Sequence, residues 1–225
     1  MFKELFFLII ILIIYFFIYI YFKINNNNEI YLFDSEPTKY NINKETYLKS
    51  PFYFNGTHLN DPIHKKELIL IQKEDNYIKY KKNYEKIDLI EPYIKFFPET
   101  FVYYIKPKKY LNLHVNYSQT NFYFIKKGLC NITFIHPKYK DNFYKNNNLQ
   151  NDKKKINYIK NNKNIFQSLE AYENTLIYIP NYWIIFIENI NNKNTIIECI
   201  NYNNIFDKLF HFNKKNLIKM NKIVL

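Results

Sequence analysis

The side chains best suited to metal or nucleophilic chemistry are few: five histidines and two cysteines in 225 residues. His114 stands two residues before Asn116, the spacing at which alternate side chains of one strand face the same way. His136, beside Pro137, and Glu188 are further residues with donor atoms. His58, His64 and His211 stand alone, and a lone histidine is more often a surface or core residue than a ligand. Cys130 and Cys199 read either as a disulfide or as two reduced core thiols, and nothing demands an oxidising compartment. With two glycines in the whole chain, a phosphate-cradling glycine loop is excluded.

The elements that must position these groups are short apolar and aromatic runs, including residues 67–72, 100–105, 121–125, 131–135, 175–179, 183–188 and 195–199. Their β-branched and aromatic content predicts strands, and so many short strands with polar breaks predict a mainly β sandwich or barrel. The Asn/Lys tract Tyr139 to Asn164 reads as a long loop or ragged hairpin. Apolar positions at Ile205, Phe206, Leu209, Phe210, Leu217 and Met220 predict a terminal helix over 205–220.

Leu5 to Phe22 contains no charge, Pro, Gly or Asn. At about 1.5 Å per residue it is roughly 27 Å long, close to the hydrocarbon thickness of a bilayer. Lys3, Glu4 and Lys23 flank it, and Tyr15, Tyr19 and Tyr21 lie toward its second end, where an aromatic belt would sit. No small-residue cleavage pattern follows, so the segment reads as an uncleaved single-pass anchor rather than a signal peptide. The expected organisation is an anchor at 1–24, a linker at 25–29 and a β-barrel domain at 30–225. The flanking charges nearly balance. Two of the three glycosylation sequons, those at Asn116 and Asn131, fall inside apparent strands; the third is at Asn55. Orientation therefore leans only slightly toward a cytoplasmic domain.

Asn, Lys, Ile, Tyr and Phe dominate, and arginine is absent. These residues share AT-rich codons, which points to an AT-biased genome such as that of a parasite, an endosymbiont or a large DNA virus. The net charge of +12 belongs to that bias. Its lysines are scattered, no arginine offers bidentate phosphate or guanine contacts, and nucleic acid is not an expected partner. The bilayer is.

Two segments read together resemble a known family. Leu113 to Gly128, followed by Asn131 to Ile135 and Pro137, and Asn174 to Trp183, continuing to Asn189, resemble the cupin-like, JmjC-type 2-oxoglutarate oxygenases. They look most like the asparaginyl hydroxylases related to factor inhibiting HIF. The resemblance implies a double-stranded β-helix, that is, a jelly-roll barrel. It implies an Fe(II) site with His114 as the first ligand, and here the family's pattern breaks. The carboxylate position is Asn116, the second histidine position is Ile185, the basic cosubstrate anchor falls on Cys130, and the acid of the second segment is Thr175. Phe122, Phe124, Trp183 and Ile185 are expected to line the former pocket. The expectation is a catalytically inactive structural or interaction module without cofactor. The alternative is a membrane-bound hydroxylase with a divergent site that uses Fe(II) and 2-oxoglutarate. A further option is a barrel holding an apolar molecule or a sugar. The resemblance also offers homodimerisation through the terminal helix.

Overall fold

In the computed structural model, the described residues are 2–22, 29–33, 37–56, 68–93, 97–139, 152–162 and 166–203. The expected terminal helix 205–220, and with it the dimer, lies outside them, as do residues 25–28 of the linker.

The strands are β1 (Tyr31–Leu32), β2 (Phe52–Phe54), β3 (Ile69–Lys73), β4 (Tyr77–Lys82), β5 (Phe97–Ile105), β6 (Tyr110–Val115), β7 (Thr120–Lys127), β8 (Leu129–Ile135), β9 (Gln167–Tyr172), β10 (Leu176–Pro180), β11 (Ile184–Asn189) and β12 (Thr195–Asn203). They build an eight-stranded sheet, β1-β2-β10-β7-β12-β5-β4-β3, and a four-stranded sheet, β6-β11-β8-β9. From β5 onward the chain crosses between the sheets at almost every step. The quartet β10-β7-β12-β5 therefore faces the quartet β9-β8-β11-β6. This is the eight-stranded, doubly wound arrangement of a cupin-like jelly roll.

Period-two alternation divides each strand between two environments. On β7, Tyr123 and Ile125 point into the barrel with Ile132, Phe134, Trp183, Ile185 and Cys199. Phe122 and Phe124 point the other way and pack with Phe52, Phe54, Tyr178 and Ile42, the last from helix α2 (Lys39–Leu48). The Thr38 side chain caps α2 by accepting from the Asn41 N–H at 3.2 Å. The β7–β8 turn needs Gly128: its φ is +95°, and a Cβ there would lie 2.8 Å from Thr195 Oγ1 and 3.1 Å from Thr195 Cα.

The structure departs from the sequence reading in two helical segments. Within the tract read as a loop or hairpin, Asp152–Asn161 forms a helix, α3. Ile156 and Ile159, three apart on one face, bury against Phe166, Phe186 and Val115 over the outside of the smaller sheet. Lysine and asparagine around those two isoleucines mask the helical period. At the N-terminus, Phe2–Phe22 is helical (α1). The side chains described for it are residues 3–16 and 18, and all are exposed. Among the described residues no helix is long and apolar enough to cross a membrane. The span Leu5 to Phe22 thus remains an expectation of the sequence that the described fold does not itself carry.

Candidate functional site

The strands bring three of the singled-out residues together. On paired β6 and β11, Ile185 lies directly opposite His114. Asn116, just past β6, is clasped to the β10–β11 turn. Its backbone N–H donates to the Trp183 carbonyl at 2.9 Å, its carbonyl accepts from the Tyr182 N–H at 2.5 Å, and its Nδ2 donates to the Trp183 carbonyl at 3.3 Å. Tyr182 takes a φ of +68° in that turn. Asn116 is thus part of a backbone clamp.

Tyr123 reaches across from the facing sheet. Its hydroxyl donates to Asn116 Oδ1 at 2.6 Å and lies 3.0 Å from His114 Nε2. A neutral imidazole carries a single N–H, which donates either to the tyrosine oxygen through Nε2 or to a backbone carbonyl through Nδ1, not to both. His114 Nδ1 sits 3.2 Å from the Asn112 carbonyl. Burial disfavours the imidazolium more than that carbonyl favours it, the charge on Lys79 opposes it as well, and the His114 pKa is lowered to about 4. Near neutral pH the ring is an uncharged hydrogen-bonding group.

These residues do not fit a metal. The donor atoms of His114 and Asn116 that would have to face an ion are both turned onto one hydroxyl group, and Ile185 has no donor atom. An altered site from His114, His136 and Glu188 is not assembled either. Glu188 follows Ile187 on β11, and Ile185 and Ile187 are the residues of that strand packed in the barrel interior, so alternation turns Glu188 outward. His136 is buried edge-on against Trp183, ring centres 5.0 Å apart, and its Nδ1 accepts from the Lys138 N–H at 3.1 Å. Among the described residues no three His, Cys, Asp or Glu side chains converge.

Cys130 is fully buried in the barrel core between Asn189 and Ala171 of the neighbouring strands, and burial pushes its thiol up to about 12. Cys199 is likewise a free, buried thiol pushed up to about 12 by burial, donating to Asn201 Oδ1 at 3.1 Å. The pair is therefore two reduced core thiols. Thr175 donates to Asn55 Oδ1 at 3.2 Å. Trp183 is packed in the barrel core, and Phe122 and Phe124 lie on the outer face of the larger sheet. Alternation places Asn121 and Tyr123 inside instead.

The barrel is not filled. A cavity of about 840 Å³ opens at this end, walled by Tyr77, Lys79, Phe101, Tyr103, His114 and Tyr123, with Asn112, Asn116, Asn121, Asn201 and Asn203 between them. Sequence reasoning missed Tyr123 and Lys79. Tyr123 was open to discovery from the alternation of β7. Lys79 was hidden among the many lysines of the chain.

No family model matches the chain, and no curated protein matches it. Among solved structures, it is similar to oxalate decarboxylase from Bacillus subtilis, studied for its Mn(II) centres, at 10% identity over 60% of this chain and 28% of that one, with a TM-score of 0.39. It is also similar to oxalate decarboxylase from Lactobacillus farciminis in a formate complex, at 11% identity over 65% of this chain and 35% of that one, with a TM-score of 0.41. The match thus spans only about a third of those proteins' length. The jelly-roll assignment rests on the strand order itself.

Proposed function

We propose that this protein is a membrane-anchored jelly-roll module that acts by binding or structural interaction rather than by metal-dependent catalysis. The observation that carries this reading is the Tyr123 hydroxyl, hydrogen-bonded to His114 and Asn116 where an iron enzyme would leave its donors open. Ile185 at the remaining position supports it, because an apolar side chain there removes the cost of burying a charged ligand set. The barrel is then stable without an ion. The anchor is supported by the uncharged run Leu5 to Phe22 in the sequence.

Titrating the full chain with Fe(II) or Mn(II) tests the first half. The expected result is no stoichiometric uptake; tight one-to-one binding would overturn it. The anchor is tested by alkaline extraction of membranes from expressing cells. The unaltered chain should stay with the bilayer. A chain carrying Ile11→Lys and Ile14→Lys, each costing about 3 kcal/mol at a helix centre, should be released. Extraction of the unaltered chain with peripheral proteins would refute the anchor.

A further inference from the structure

We infer that the barrel cavity binds a small hydroxylated organic anion, a sugar phosphate or sugar acid, with the Lys79 ammonium as its anchor. The inference deepens the binding reading above and rests on it in taking the cavity for a site. It does not depend on whether a metal is present.

The contrast between Lys79 and its neighbours carries the argument. Lys82, on the same strand, is buried and Lys126, on β7, is partly buried, and the protein supplies each with an acid. Lys82 Nζ lies 2.8 Å from Glu85 and 3.4 Å from Glu198, and Lys126 Nζ lies 3.2 Å from the other Glu198 oxygen. Lys79 is half-buried at the cavity wall and receives nothing equivalent. Among the described residues it has no hydrogen bond and no ion pair. Its contacts are two aromatic faces, Phe101 at 4.1 Å and Tyr103 at 5.3 Å from Nζ to the ring centre. Among the described residues the one carboxylate on the cavity wall, Glu99, is engaged elsewhere, 3.6 Å from Lys81 and accepting from Asn203 Nδ2 at 3.2 Å. An ammonium withdrawn from water toward aromatic rings, with no carboxylate in ion-pair contact, is an arrangement that an anion completes. Burial accordingly lowers the Lys79 pKa and outweighs Cys199 and Glu99, which raise it.

The rest of the wall selects the body of the ligand. The Asn112 amide, the Asn201 Nδ2 group and the Tyr103 hydroxyl face the cavity with no hydrogen-bond partner for those groups among the described residues. Uncharged amides and hydroxyls match ligand hydroxyls, and the Phe101 ring offers an apolar face of the kind a sugar ring packs against. The volume falls within the roughly 300–1,000 Å³ of small-molecule sites.

Calorimetric titration of the full chain in detergent with glucose 6-phosphate, gluconate, glucose and inorganic phosphate decides the matter. At least one of the two hydroxylated anions should bind one-to-one, and which of them does separates phosphate from carboxylate as the anchored group. Glucose and inorganic phosphate should each bind about tenfold more weakly or worse. Lys79→Met should weaken the anion about tenfold or more while leaving the thermal melt intact, and Lys79→Arg should retain most of the affinity. Silence from both anions, equal binding of glucose or of inorganic phosphate, or an unchanged affinity in Lys79→Met would overturn the inference. Should Lys79→Met fail to fold, the comparison of glucose 6-phosphate with glucose in the unaltered chain still decides. Stoichiometric Mn(II) uptake would sink the metal-free reading and leave this result standing.

Discussion

Glu198→Gln should cost the fold about 3 kcal/mol, the low end of the range for breaking a buried ion pair from one side. The Glu198 side chain is 4% exposed and serves two cations, one carboxylate oxygen to each: Lys82, 3% exposed, and Lys126, 11% exposed. It lies on β12, between Val102 of β5 and Phe124 of β7, so no water can replace the missing charge without opening the sheet. Burial pulls the Lys82 ammonium down, yet Glu85 and Glu198 outweigh it and leave its pKa raised. An amide at 198 withdraws one of those two supports and takes from Lys126 its partner in the sheet. Glu85 remains and keeps the loss at the low end. Denaturant unfolding of the full chain in detergent measures it as a lower midpoint at unchanged slope. A loss below 1 kcal/mol would show that the cluster is solvated rather than buried. Replacing all three side chains by apolar ones of similar size should restore most of the stability, since that removes the desolvation cost together with the attraction.

Acidification should weaken the fold through His114. Its pKa is about 4 in the folded barrel, against about 6.5 for an unperturbed histidine. Between those values the unfolded chain binds the proton and the folded chain does not, so unfolding becomes easier as pH falls. The contribution is fully present above pH 6.5 and is lost as pH drops through the folded pKa. Its full size is about 3 kcal/mol, from roughly 1.4 kcal/mol per pKa unit. His114→Gln cannot take up that proton. Subtracting its unfolding free energy from that of the parent chain, pH by pH, cancels the other histidines and leaves the His114 slope. Parallel curves for the two chains between pH 7 and 4 would mean that the ring is charged, or open to water, inside the barrel.

Both effects depend on residues that look ordinary in the sequence, and the reason lies in composition. In a chain so rich in Lys, Asn, Ile, Tyr and Phe, residue type alone says little about role. Glu198, Lys82 and Lys126 meet because β12 pairs with β7 on one side and with β5 on the other, and β5 in turn with β4, which brings residues 116 apart in the chain into one ion pair.

What the sequence determined by itself is local. β-branched and aromatic runs specified most of the strands, because a pleated half-buried surface selects those side chains. The chemical identities of Asn116 and Ile185 already ruled out the usual iron donors at those positions, since an amide and a hydrocarbon cannot supply the missing charge. The tertiary structure decided whatever depends on which face of a strand turns inward and on what lies opposite. It put Tyr123 in the barrel and Phe122 and Phe124 outside it. It wound residues 152–161 into a helix over Ile156 and Ile159, and it left Lys79 at the cavity wall without an ion pair of its own. Each of these outcomes turns on partners brought from distant parts of the chain, and the free energy of burying or leaving a polar group is set by such partners, not by neighbours in sequence.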